Sequence, residues 1–114
     1  MTRQRGPIPR GRLSAQERQL RSALHRILHE GGLLHGSLIA RQRRCGKSGC
    51  RCTRGHPHES LYLIVTEAGK SRQMYVPRHW EPLVRGWIDN YAAARRLLNE
   101  LSALHWDKVR RRKE

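Results

Sequence analysis

Phenylalanine is absent from this chain of 114 residues, and acids are scarce: nine Asp and Glu stand against 24 Lys and Arg. Without Phe, bulky burial falls to three Trp and three Tyr, and a hydrophobic share of 37% predicts a thin core. The shortage of carboxylates leaves no paired acids for general acid–base work, and no nucleophile stands with a base, so the sequence does not read as an enzyme. No apolar run reaches the ~18–20 residues of a spanning helix, so no membrane partner is expected. The N-terminus is basic but leads into no apolar stretch, which is not the pattern of a secretory signal. Three cysteines are an odd number, which argues against a closed disulfide framework and for a reducing cytoplasm.

What the chain has in excess is positive charge. The formal net charge is +15, which repels itself and draws in polyanions. Residues 1–13 carry Arg3, Arg5, Arg10 and Arg12 between Gly and Pro, with no acid. This composition predicts a basic disordered arm. A single α+β domain is expected over 14–107, followed by a basic tail over 108–114.

Within that domain, Ser14-Ala15-Gln16-Glu17 reads as a capping box, with each end bonding the other's backbone amide. Leu20, Leu24, Ile27 and Leu28 then recur at helical spacing, predicting a helix over about 15–30 that stops at Gly31-Gly32. The chain turns extended over 33–42. Residues 61–66 and 71–76 read as two strands around a turn at Glu67-Ala68-Gly69-Lys70, and Pro77 ends the second. Tyr62 and Tyr75 are placed to pair across this hairpin. From about Glu81 a helix of about 30 residues, ~45 Å long, is expected. Leu83, Trp87, Tyr91, Ala94, Leu98 and Leu101 mark its apolar face, broadened by Val84, Ile88 and Leu97. One small sheet cannot cover that length, so the remainder either packs the first helix or pairs with another helix, with a homodimer as one outcome. The run 108–113 is expected to fray.

The chemistry is concentrated in Cys45-Gly46-Lys47-Ser48-Gly49-Cys50-Arg51-Cys52-Thr53-Arg54-Gly55-His56-Pro57-His58, between two strands. Thiolate and neutral imidazole are zinc ligands, and a structural zinc takes four in a tetrahedron. Cys45, Cys50 and Cys52 with one histidine complete that shell. His56 and His58 can both reach, and Pro57 between them disfavours joint ligation. A phosphate-binding loop is excluded because Arg41 stands where its first glycine belongs. A redox Cys-x-x-Cys is absent.

Arg41, Arg43, Arg44, Lys47, Arg51 and Arg54 surround these ligands, with no acid among them from Arg41 to Arg54. Three thiolates on zinc carry a net charge of about −1, so the loop keeps a large positive excess. A rigid basic turn of this kind suits phosphate contact. Arg110, Arg111, Arg112 and Lys113 offer a second, sequence-independent contact.

The segments Gly36-Ser37-Leu38, Cys45-Gly46-Lys47 with Cys50-Arg51-Cys52, His58 before Leu61-Tyr62-Leu63, and Gly69-Lys70 before Tyr75-Val76-Pro77 resemble a family of small bacterial proteins. That family is of unknown function and is marked by a Cys-Gly-Lys-x-x-Cys-x-Cys motif; the resemblance covers about residues 33–105. It implies no activity. It implies His58 as the fourth ligand, although Glu59-Ser60-Leu61 stand here where the family pattern has Gly-Pro and an aromatic. It also implies a setting near transposases and recombinases.

The expectation is therefore an α+β protein with a capped N-terminal helix, a small antiparallel sheet with an inserted zinc loop, and a long C-terminal helix. It is expected to be a non-enzymatic, nucleoid-associated cytoplasmic protein that binds DNA or RNA through phosphates beside a recombinase, transposase or nuclease. The alternatives are a protein–protein adaptor working through the long helix and a small RNA- or ribosome-binding protein.

Overall fold

The computed structural model describes residues 13–43 and 58–112. Along the chain run α1 (Ala15–Glu30), β1 (Ser37–Arg43), β2 (His58–Glu67), β3 (Lys70–Val76), a short 3-10 turn (Arg78–Trp80) and α2 (Glu81–Arg110). The architecture is α+β. Two compact units divide it: Met1–Gly31 with Ala92–Glu114, and Gly32–Tyr91. α2 contributes to both. Among the described residues no helix is long and apolar enough to cross a membrane.

In the first unit, Ser14 caps α1 as its sequence requires: Ser14 Oγ accepts from the Glu17 amide at 3.0 Å. The reciprocal half of the capping box is not made. The Glu17 carboxylate is instead fully buried and takes Arg21 Nε at 2.9 Å and Lys108 Nζ at 3.1 Å. A buried charge must be paired, and that need outweighs one further cap bond. Among the described residues of this unit, Leu13, Ala94, Leu97 and Leu101 are the buried apolar ones. Leu20, Leu24 and Ile27 are half-buried, as their spacing predicts, but Leu28 is exposed. α1 stops at Gly31, whose backbone is extended rather than left-handed, so the stop comes from the chain leaving the helix, not from a glycine cap. α2 continues through Lys108 to Arg110, into the stretch read from sequence as a fraying tail. The bond from Lys108 to Glu17 holds that turn.

The second unit is an antiparallel sheet in the order β1-β2-β3. Leu38, Leu63 and Met74 stand in one cross-strand row, and Ala40, Leu61 and Val76 in another. Leu61, Leu63 and Val76 from these rows meet Val84 of α2 in the core, flanked by Leu34, Leu38 and Ile88. Glu67 pairs Lys70, which leaves a two-residue turn with Ala68 at φ 51° and Gly69 at φ 76°. Positive φ at both central positions is the turn that matches strand twist.

The apolar face of α2 keeps part of the expected stripe, with Ala94 and Leu101 buried and Trp87 and Tyr91 half-buried, and departs from it elsewhere. Leu83 and Leu98 are exposed, while Val84, Ala94, Leu97 and Leu101 are buried. The stripe is wide enough for either choice, and the partners in each unit make the selection.

Gly32 is fixed by close approach. A Cβ built there would lie 2.5 Å from Trp87 Nε1. Asn90 Nδ2 donates to the Gly32 carbonyl and the Leu34 amide donates to the Trp87 carbonyl, both at 3.1 Å. Gly32→Ala is expected to cost about 1–3 kcal/mol as an overpacking change. Urea titration of the variant should show a lower midpoint, and a midpoint equal to the parent's would mean that Trp87 simply swings aside.

Candidate nucleic-acid interface

β1 and β2 pair without a break from Ser37↔Ile64 to Arg43↔His58. The loop between them therefore starts and ends on neighbouring strands, about 5 Å apart. β2 begins at His58, three residues before the apolar run that signals it in the sequence. The backbone of the predicted ligand His58 is thus in the sheet. Cys45, Cys50, Cys52 and His56 lie outside the described residues, as do Arg44, Lys47, Arg51, Arg54 and Lys113. Among the described residues no cluster of His, Cys, Asp or Glu is arranged to hold a metal.

The described histidines are otherwise engaged. His25 and His29 stack on each other along α1, and His35 stacks on Tyr91. His105 Nδ1 bonds the Leu101 carbonyl at 2.9 Å, with Nε2 at 3.5 Å from Glu17.

Of the predicted phosphate contacts at the loop, Arg41 is exposed, and its guanidinium carbon stands 5.3 Å from the centre of the Tyr62 ring. Tyr62 in turn meets Tyr75 edge-on at 6.0 Å, the cross-strand pair expected from alternation. Glu59, the nearest acid along β2, is taken by Arg78 at 3.5 Å. The C-terminal cations are more heavily partnered. Asp107 binds Arg111 and lies 3.9 Å from Arg110, and Arg112 Nη1 donates to the Val109 carbonyl at 2.8 Å. These are exposed pairs of little energetic weight that exchange readily with phosphate.

The contact of Arg41 with Tyr62 was not anticipated. It follows from the register of the folded sheet: Arg41 pairs with Ser60 and Ile39 with Tyr62, so Arg41 and Tyr62 are diagonal neighbours on one face of the sheet.

A family model described as Domain of unknown function (DUF6788) matches residues 11–86. That span takes in α1, the sheet with its loop, and the first turns of α2. No curated protein and no solved structure matches the chain.

Proposed function

The chain belongs to the DUF6788 family, and we propose that it is a non-enzymatic, zinc-containing nucleic-acid-binding accessory protein of a mobile element. In this reading one zinc, held by Cys45, Cys50, Cys52 and either His58 or His56, shapes the loop. The loop cations meet a phosphate backbone. A recombinase, transposase or nuclease partner supplies the chemistry. The observation that carries the reading is the run of cations from Arg41 to Arg54 with no acid among them, in a chain of net charge +15. The strand pairing at the loop's base supports it, because paired ends lower the entropy lost when the loop is ordered. The basic arm over 1–13 and the cations 110–113 add affinity without base preference.

Salt titration tests this. A phosphate binder loses affinity linearly in log–log form, with a slope of about −0.9 per duplex phosphate neutralised. Arg43→Glu with Arg44→Glu is expected to weaken binding at least about tenfold and to flatten that slope by about two, with melting unchanged. A double variant that binds as the parent does moves the contact elsewhere on the surface.

A second reading, an adaptor working through α2, is favoured by Leu98, Trp106 and Val109. All are exposed, Trp106 at 70%, and their spacing puts them on one side of the helix. Association through that side would depend little on salt. Competition among duplex DNA, single-stranded DNA and RNA sorts the remaining RNA- or ribosome-binding reading.

A further inference from the structure

The three-stranded sheet uses one face for its core. Leu61, Leu63 and Val76 pack there against Val84 of α2. Strand alternation puts Ile39, Tyr62 and Tyr75, directly opposite one another across all three strands, on the other face. This second face has the composition of a binding surface. Tyr75 is 55% exposed, a large aromatic left open to water. Tyr62 is half-buried, with Arg41 over its ring. The two tyrosines meet at an interplanar angle of 71°. An edge contact of this kind covers at most one face of one ring, and with Arg41 over Tyr62 it is the exposed Tyr75 ring that offers flat surface to be stacked on.

Charge on this face has a single sign. The strand acids Glu59 and Glu67 alternate onto the core-side rows and are paired with Arg78 and Arg72. Ser71 and Gln73 share the face with Tyr75 and bring hydrogen-bonding groups but no carboxylate. At the end of β1 beyond Arg41 the chain enters the loop that carries Arg44, Lys47, Arg51 and Arg54. Aromatic rings beside an arginine, on a sheet face exposed at Arg41, Ser71, Gln73 and Tyr75 and continuous in sequence with a run of cations, form a platform for bases that are not already stacked in a duplex. A duplex presents phosphates to such a face and keeps its base planes inside.

The geometry points to this face as a stacking site for unpaired nucleobases, with Tyr75 and Tyr62 as the rings and Arg41 as the adjoining phosphate or base contact. The inference rests on the nucleic-acid reading above and names its preferred ligand: a single strand.

The test is fluorescence anisotropy of the full-length protein with labelled oligo(dT) and oligo(U) of about 15 nucleotides, and with a duplex of equal length. The parent should bind a single strand more tightly than the duplex. Tyr75→Leu should weaken single-strand binding by about 5- to 150-fold, the range for losing one stacked base, while leaving duplex affinity and the salt slope in place. Tyr75→Phe should restore it. Photocrosslinking of the parent to a bromodeoxyuridine oligonucleotide should label Tyr75 or Tyr62, a readout that does not depend on how the variants fold. Crosslinks that fall only elsewhere, or a folded Tyr75→Leu protein that holds oligo(dT) and oligo(U) like the parent, overturn the stacking site while the phosphate-binding reading stands. A parent that binds neither strand nor duplex overturns both.

Discussion

Replacing Glu17 with glutamine is expected to lower the melting temperature by several degrees at neutral pH. The carboxylate has 0% exposure. Its Oε2 lies 2.8 Å from Arg21 Nη2 and 3.5 Å from His105 Nε2, and its Oε1 lies 3.1 Å from Lys108 Nζ. The hydrogen bond from Arg21 holds the carboxyl below the usual glutamate value of 4.5. Burial pushes the other way, and the hydrogen bond and charge of Lys108 add to the lowering. Glutamine keeps the shape but turns an –NH2 donor toward groups that are themselves donors. The cost is bounded because the Arg21 and Lys108 side chains are about half exposed and can return to water.

The pH dependence follows from the direction of that shift. The unfolded chain takes up the proton near pH 4.5, before the folded chain does. The contribution is therefore complete above about pH 4.5 and is lost as pH falls below it through the depressed folded value. Parent and Glu17→Gln should differ above about pH 5 and converge as pH falls below 4.5. Lys108→Met should cost less than Glu17→Gln, because Arg21 still pairs the carboxylate. Melting curves across that range decide the matter, and equal curves at pH 7 would mean that the buried carboxylate contributes nothing.

Glu17 also marks where the sequence was legible and where it was not. Its backbone role was local: a serine three residues earlier predicts the cap, and the cap is made. Its side-chain role depends on Lys108, 91 positions away, and no local pattern carries that. The hairpin turn was legible for the same reason as the cap, because positive φ at Gly69 is a short-range demand. The start of β2 was not. His58, Glu59 and Ser60 are polar and enter the sheet because Arg43, Gln42 and Arg41 offer them a ladder, and strand propensity yields to pairing. The long α2 could be read from its periodicity, but which side it buries could not, since Leu83 and Val84 are equally apolar and only the sheet distinguishes them. In the candidate interface, alternation alone predicted the Tyr62–Tyr75 pair. The position of Arg41 over Tyr62 needed the β1–β2 register, which sequence does not supply across an intervening loop.

Cys50→Ser should have the largest effect of all on binding. In the proposed site a structural zinc has four protein ligands and no spare position, so replacing one thiolate with a hydroxyl leaves a shell that cannot close. The loop, residues 44–57, has no bulky apolar residue to anchor it. In the proposal the free energy that shapes it comes from the metal, for which apparent values of about 10–16 kcal/mol are typical of small zinc modules. The parent should carry about one zinc per chain by elemental analysis, and the variant none. Phosphate binding should fall at least as far as in the Arg43→Glu, Arg44→Glu protein, because every loop cation loses its position at once. The two helices should survive, since Leu61, Leu63, Val76 and Val84 of the core and Glu17, Arg21 and Lys108 all lie outside the loop in sequence. Far-ultraviolet circular dichroism should keep its helical signal, and chelation of the parent should reproduce the variant. His58→Ala and His56→Ala, compared for zinc content, identify the fourth ligand, since the true one alone should lower affinity for the metal. A Cys50→Ser protein with parental zinc content and unchanged nucleic-acid affinity would remove the metal from the account. The loop cations would then have to act from a turn ordered by contacts of its own.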